Sequence, residues 1–215
     1  MAVRRPWECP RLFPGSTIVI LASGPSLGVD DIAAVALARS ARQAPVIAIN
    51  ATYRWAPWAD LLHGGDACWW NATPEAAEFA GLKTGLNQVG AEPWPPHVNK
   101  LCHRRNEGIE TEPWLISGGT NSGHQAINIA VHLGAKKIVL LGYDFGAGPD
   151  GQLHHHGNHP GPLKNPCDAS MARWRRLIET TVEPLKALGI DVVNCSGRTT
   201  IECFRRGELG GEILS

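Results

Sequence analysis

Four of the nine histidines of this chain stand in one short tract, His154-His155-His156-Gly157-Asn158-His159-Pro160. Imidazole can take a proton near neutral pH, so a loop that carries it to a substrate hydroxyl would supply a general base. Imidazole is also a common ligand of zinc and other transition metals. No second Cys/His pair stands at zinc-ligand spacing, however, so a closed structural zinc is not expected. The plain alternative is a surface tract without function. Two glycine- and serine-rich segments carry a second kind of chemistry. Ser23-Gly24-Pro25-Ser26 and Ser117–Gly123 (SGGTNSG) each precede a helical pattern, where backbone N–H groups and the positive end of a helix dipole suit a phosphate. Neither is the fingerprint G-x-G-x-x-G, and no G-x-x-x-x-G-K-[ST] occurs, so a tight turn and a capped helix remain open readings.

The elements that would position these residues can be read from the apolar runs. Thr17–Ala22, Val46–Ile49, Asp60–His63, Lys137–Leu141 and Ile190–Cys195 read as strands, with shorter strand-like pieces between Lys83 and Leu115. Helical patterns cover Val29–Ala41, Asn121–Leu133 with Gly134 as its C-cap, and Ala169–Leu188 with a bend near Pro184; Pro74–Phe79 suggests a turn or two. Continuous apolar strands alternating with helices imply an α/β, Rossmann-like fold: a mostly parallel sheet with helices on both faces. Ligands then collect at the carboxyl ends of strands. That rule selects Ser23-Gly24-Pro25-Ser26, Asn50, Gly65-Asp66, Ser117–Gly123, Asp144 and Asn194-Cys195-Ser196, and among them Ser23, Gly24, Ser26, Asn50, Asp66, Asn121, Ser122, Gly123 and Asp144 are the candidate ligand contacts. Small and polar side chains at these places suit a nucleotide better than an apolar ligand. His124 and His132 read as a loop-facing polar group and a helix-surface residue. The tryptophans around Trp55–Trp70 read as packing first and as a platform for a base or sugar second.

Composition narrows the classes. The chain has 215 residues, with 20 basic and 20 acidic side chains and no formal net charge. A pI near 7.1 gives no reason to expect nucleic acid or an anionic membrane as partner. Hydrophobic residues at 43% are ordinary for a globular protein, and no apolar run approaches a membrane span. Without an apolar signal core after Met1, a cytoplasmic location is expected. One domain over residues 1–215 is expected, with residues 1–16 as an N-terminal extension. The six cysteines form no C-x-x-C pair and read as unpaired, mostly buried thiols. The oligomeric state is left open, a homo-oligomer included.

The order of motifs resembles a known group. A strand into GPSL, a strand ending in Asn50, a strand ending near Asp66, Ser117–Phe145 (SGGTNSGHQAINIAVHLGAKKIVLLGYDF) and VVNCSGRTTIECF look like the bacterial lipooligosaccharide sialyltransferases. They look equally like the archaeal-type 6-hydroxymethylpterin diphosphokinases and their bacteriophage relatives. The resemblance runs from Thr17 to Phe204, with Phe79–Trp114 unmatched, and the phage-type members carry the form H-x-x-G-x-H-P that His154–Pro160 reproduces. It implies Ser23, Gly24 and Ser26 at nucleotide phosphates or ribose, Asn50 and Asp66 at the donor or acceptor face, and Asn121, Ser122 and Gly123 at base and ribose. It places the general base at His154 or His159. Pro160 restricts the backbone of His159 and so favours it slightly. His155 and His156 would hold the loop or face solvent. Two positions depart from the sialyltransferases: Gly146 replaces a tyrosine that helps the phosphate leave, and Ser23 replaces an asparagine.

The expected function is a transferase using a nucleotide-activated donor on an acceptor hydroxyl, glycosyltransferase-like, with a nucleotide sugar as co-substrate. The alternatives are an ATP- and Mg²⁺-dependent diphosphokinase, for which only Asp66 and Asp144 are placed to hold the ion, and a non-catalytic nucleotide-binding protein. A further alternative is a metal-dependent hydrolase on His154, His156, His159 and Asp144.

Overall fold

In a computed structural model that describes residues 6–41, 44–87, 93–157, 163 and 165–213, the apolar runs become strands of one sheet. These are β1 (Thr17–Leu21), β2 (Val46–Ile49), β3 (Leu61–His63), β4 (Leu82–Leu86), β5 (Asn99–Leu101), β6 (Lys137–Leu141), β7 (Asp191–Asn194) and β8 (Arg205–Arg206). Their order is β5-β4-β3-β2-β1-β6-β7-β8, and every pairing is parallel. The chain starts at the centre, winds outward to β5, then returns to lay β6 on the free side of β1. Strand order therefore reverses between β1 and β6, which opens a crevice at their carboxyl ends.

Both faces of the sheet are covered, as the continuous apolar strands require. Alternate strand residues divide between two cores. Ile18, Ile20, Ile47, Ile138 and Leu140 pack with α3 (Ser122–Leu133), α4 (Asp168–Glu179) and α5 (Val182–Ala187). Val19, Leu21, Val46, Val139 and Leu141 pack with α1 (Val29–Ser40), α2 (Ala67–Ala72) and α6 (Leu209–Ile213). No described helix is long and apolar enough to cross a membrane.

Three expectations are corrected. The helix expected over Ala169–Leu188 is two helices, and the break falls at Thr180-Thr181, not at Pro184. Pro184 sits in the first turn of α5, where a missing N–H costs no helical bond. Of the six cysteines only Cys9 is buried, while Cys68 and Cys167 are exposed. His132, expected on the helix surface, is buried, because α3 is covered on its outer side as well as by the sheet, and His124, which does face a loop, is buried beneath it. His124 Nε2 donates to the Gly108 carbonyl (2.9 Å) and His132 Nε2 to the Leu115 carbonyl (2.6 Å). The segment 104–117 that covers α3 is held by Asn128, whose Oδ1 accepts from the N–H of Glu110 (2.8 Å) and of Ser117 (2.9 Å). The buried Glu110 carboxylate takes Arg104 and Arg105 at 2.7 and 2.9 Å.

Candidate functional site

The turn after β1 and the turn after β6 are built against each other. Gly24 N–H donates to the Gly142 carbonyl (2.9 Å), and Asp144 takes both donors of Ser26: its N–H at 2.7 Å and its hydroxyl at 2.6 Å. Burial pushes the Asp144 carboxyl above its ordinary range, and the two Ser26 bonds oppose that shift. The segment after β7 braces the same turn from behind. Ser196 Oγ accepts from Tyr143 N–H (2.8 Å), Thr199 Oγ1 donates to the Tyr143 carbonyl (2.6 Å), and Thr200 N–H donates to the Asp144 carbonyl (2.8 Å). Asn194 and Ser196 are thus supports behind the site, not part of its wall.

Above these turns lies a cleft of about 710 Å³, within the range of small-molecule sites. Of the candidate ligand contacts, Ser23, Gly24, Asn50, Asp66, Asn121, Ser122, Gly123 and Asp144 line it. Ser26 is turned to Asp144 instead. Asn121 caps α3, with Oδ1 accepting from His124 N–H (2.9 Å) and Nδ2 donating to the Gly119 carbonyl (3.0 Å). Ser122 Oγ accepts from Gly65 N–H at 3.2 Å, which ties the β3 turn to the start of α3. Beneath the cleft, His63 is wholly buried. Its Nε2 donates to Gln125 Oε1 (2.8 Å), its Nδ1 accepts from the Thr84 hydroxyl (3.1 Å), and Gln125 Nε2 donates to the Gly118 carbonyl (2.7 Å). Burial pushes His63 down to about 4, so it stays neutral and fixes the glycine loop rather than moving protons.

Backbone strain converges here. Among the described residues, Asn50 (φ 48°), Thr120 (φ 57°) and Phe145 (φ 49°) are the non-glycine residues with positive φ, and all three line the cleft. Asparagine tolerates this region; a β-branched threonine and a phenylalanine do so at a cost of about 1–3 kcal/mol each. Phe145 is held there by its carbonyl, which accepts from Thr200 Oγ1 (2.8 Å) and Arg175 Nη1 (3.1 Å).

The histidine tract crosses the β1 end of the cleft. His155 is its anchor: its N–H donates to the Ser23 carbonyl (3.0 Å), its Nε2 bonds Thr52 Oγ1 (3.2 Å), and its ring packs on Trp55 with centroids 4.1 Å apart. Burial, then the neighbouring His156, pushes its pKa down to about 4. His154 lines the cleft and stacks on His156 with centroids 5.1 Å apart. Asn158, His159 and Pro160 lie outside the described residues. Among the described residues, no group of three or more His, Cys, Asp or Glu side chains could hold a metal ion. The sequence reading missed the far wall, where α4 contributes Met171 and Trp174 and its cap contributes Cys167. A tryptophan inside a helical pattern gives no signal that it faces a ligand cleft.

No protein-family profile matches the chain, and neither does any curated protein sequence. Among solved structures, the chain is similar to the MAf glycosyltransferase from Magnetospirillum magneticum AMB-1, with a TM-score of 0.62 at 18% identity over 94% of this chain. The match spans 35% of that protein's chain. BdcA in complex with NADPH and the Bacillus cereus enoyl-acyl carrier protein reductase are each 13% identical over 93% and 95% of this chain, and over 78% and 81% of theirs. Both have TM-scores of 0.30, too low to carry an argument. The chain thus has an α/β Rossmann-like fold similar to part of a glycosyltransferase.

Proposed function

We propose that the chain is a transferase that binds a nucleotide-activated donor in the β1/β6 cleft and passes its activated group to an acceptor hydroxyl. The observation that carries this reading is the pinning of the histidine tract: His155 ties it to Ser23 and Thr52, and His154 is held in the wall of the cleft onto which the start of α3 opens. In the step, the acceptor oxygen bonds to the reacting carbon of the donor while its proton passes to the His154 imidazole. The carbon–oxygen bond to the nucleotide phosphate breaks, and the nucleotide leaves with the negative charge. Main-chain N–H groups at the start of α3 would meet that charge. A base so placed contributes about 10²–10⁴-fold. His159, in the same histidine tract of the sequence, is the second candidate for the base.

The fold shared with part of a glycosyltransferase and the motif order of the lipooligosaccharide sialyltransferases both support glycosyl transfer. Gly146 leaves the phosphate without the sialyltransferase tyrosine, so a donor sugar other than sialic acid fits better. A diphosphokinase would need Mg²⁺ held by carboxylates at the phosphates. The acids of the described cleft wall are Asp66 and Asp144, and both oxygens of Asp144 already accept from Ser26, so this donor set does not fit the ion.

The test is nucleotide release from CMP-, UDP- and GDP-sugars by the wild type, His154→Ala and His159→Ala, beside donor affinity for each. Loss of about a hundredfold or more in rate by one variant, with affinity nearly kept, identifies the base. Equal turnover by all three would remove the base role, and binding without turnover would make this a nucleotide-binding protein.

A further inference from the structure

The cleft has two unlike ends. Its floor, at the ends of β1 and β2 and at the start of α3, is polar: Ser23, Asn50, Asn121 and Ser122. Its far wall brings together the apolar side chains Phe145, Leu153, Leu163, Met171 and Trp174, with Asn165, Cys167 and Ser170 beside them. Two aromatic rings of that wall are only half buried, Phe145 and Trp174, whereas Trp69 at the opposite side is 5% exposed. The half-buried pair stand edge to face, with centroids 6.3 Å apart and planes at 88°, and Phe145 is backed by the wholly buried Tyr143 at 6.1 Å. Phe145 is also the residue whose main chain is held at φ 49° by Thr200 and Arg175. A strained residue persists only where its surroundings over-determine it, and such residues cluster at ligand clamps. Here the outcome is an aromatic ring fixed in direction and left partly uncovered inside a cleft.

We infer that Phe145 and Trp174 form the seat for the planar base of the nucleotide, with the ribose and phosphates running from it to the polar floor. The inference rests on the nucleotide reading above and deepens it. A base has a π-face that stacks on an aromatic side chain, whatever its hydrogen-bonding edge. A sugar ring, with hydroxyls around its rim, is served better by the polar floor, where Ser23, Asn50, Asn121 and Ser122 stand. Phosphates go to the other end, where the twelve-residue helix α3 presents its first N–H groups. The base then lies away from Asn121–Gly123, where the family resemblance alone would put it. Specificity at a seat of this kind comes from stacking, so the site should bind more than one base.

The test is calorimetric titration of the wild type, Trp174→Ala, Trp174→Phe and Phe145→Leu with CMP, UMP, AMP and GMP, and with ribose 5-phosphate, which lacks the base. In the wild type at least two of the nucleotides should bind about tenfold or more tightly than ribose 5-phosphate. Trp174→Ala and Phe145→Leu should each lose about tenfold for nucleotides while ribose 5-phosphate binds as before, and Trp174→Phe should restore most of the loss. Wild-type nucleotide binding with unchanged affinity in Trp174→Ala and Phe145→Leu overturns the seat and leaves the nucleotide reading standing. An equal loss for ribose 5-phosphate likewise overturns it, because the variants would then be damaging the whole cleft. If the wild type binds neither the nucleotides nor ribose 5-phosphate, the seat and the nucleotide reading fall together.

Discussion

Gly24 has no room for a side chain. A Cβ there would stand 2.3 Å from the Gly142 carbonyl oxygen and 2.5 Å from Asp144 Oδ1. The glycine of the first turn is therefore required by the closeness of two strand ends, whatever it offers a ligand. Gly24→Ala should cost about 1–3 kcal/mol in urea unfolding, since the opposing atoms are backbone and a fixed carboxylate. A neutral substitution would mean that the two turns are looser than drawn. The buried histidines give a second prediction at this scale. His63 and His124 are held neutral, each pushed down to about 4 by burial, against about 6.5 in an unfolded chain. Above pH 6.5 both states are neutral and stability is full. Below it the unfolded chain takes up protons that the native histidines refuse, so stability falls as pH drops from 6.5 toward 4. At pH 5.0 the cost is about 2 kcal/mol for each of the two. Urea unfolding at pH 7.5 and 5.0 measures it, in a window above most carboxylate titration. Equal stability at the two pH values would contradict the burial of both rings.

At the scale of elements, Asn128 decides how the loop before α3 is held. Its side chain serves three main-chain groups: the N–H of Glu110, the N–H of Ser117 and, through Nδ2, the Glu110 carbonyl (2.9 Å). Asn128→Leu leaves all three buried without partners and should cost at least about 3 kcal/mol, read as a shift of the urea midpoint. A cost below about 1 kcal/mol would show that the segment is fastened elsewhere. This element also shows where the sequence was legible. Strands such as Thr17–Leu21 and Lys137–Leu141 are runs of branched apolar residues, buried on both faces, and their composition alone marks them. The short β5 falls in the stretch read only as strand-like pieces, and the two-residue β8 exists only because a neighbour offers a ladder, so composition could not reveal it. On the polar face of α3, His132 looked like a solvent-facing residue, and nothing in the pattern singled out Asn128. That face is polar because it serves the carbonyl and N–H groups of a covering segment, and no helical period encodes that layer. Asp144 and Asn121 were legible as strand-end and helix-start residues. The partnership of Asp144 with Ser26, 118 positions apart, was not, since it arises only when the sheet brings β1 beside β6.

For the molecule as a whole, the strand order is what gathers the site. Because β6 returns to the side of β1 that β2 leaves free, the β1 turn meets the start of α3, the β6 turn and the histidine tract over one crevice. Three strained backbones, a capped helix start and a pinned imidazole loop converge on that crevice and nowhere else among the described residues. The central claim is that this crevice takes a nucleotide-activated donor. It is tested most directly by the melting temperature of the protein with millimolar CMP, UDP, GDP, ATP and the corresponding nucleotide sugars. A ligand that binds only the native state adds RT ln(1 + [L]/Kd), about 2.7 kcal/mol at a hundredfold excess over Kd. At least one nucleotide or nucleotide sugar is therefore expected to raise the melting temperature by several degrees, and a melting temperature that none of them moves would contradict the account.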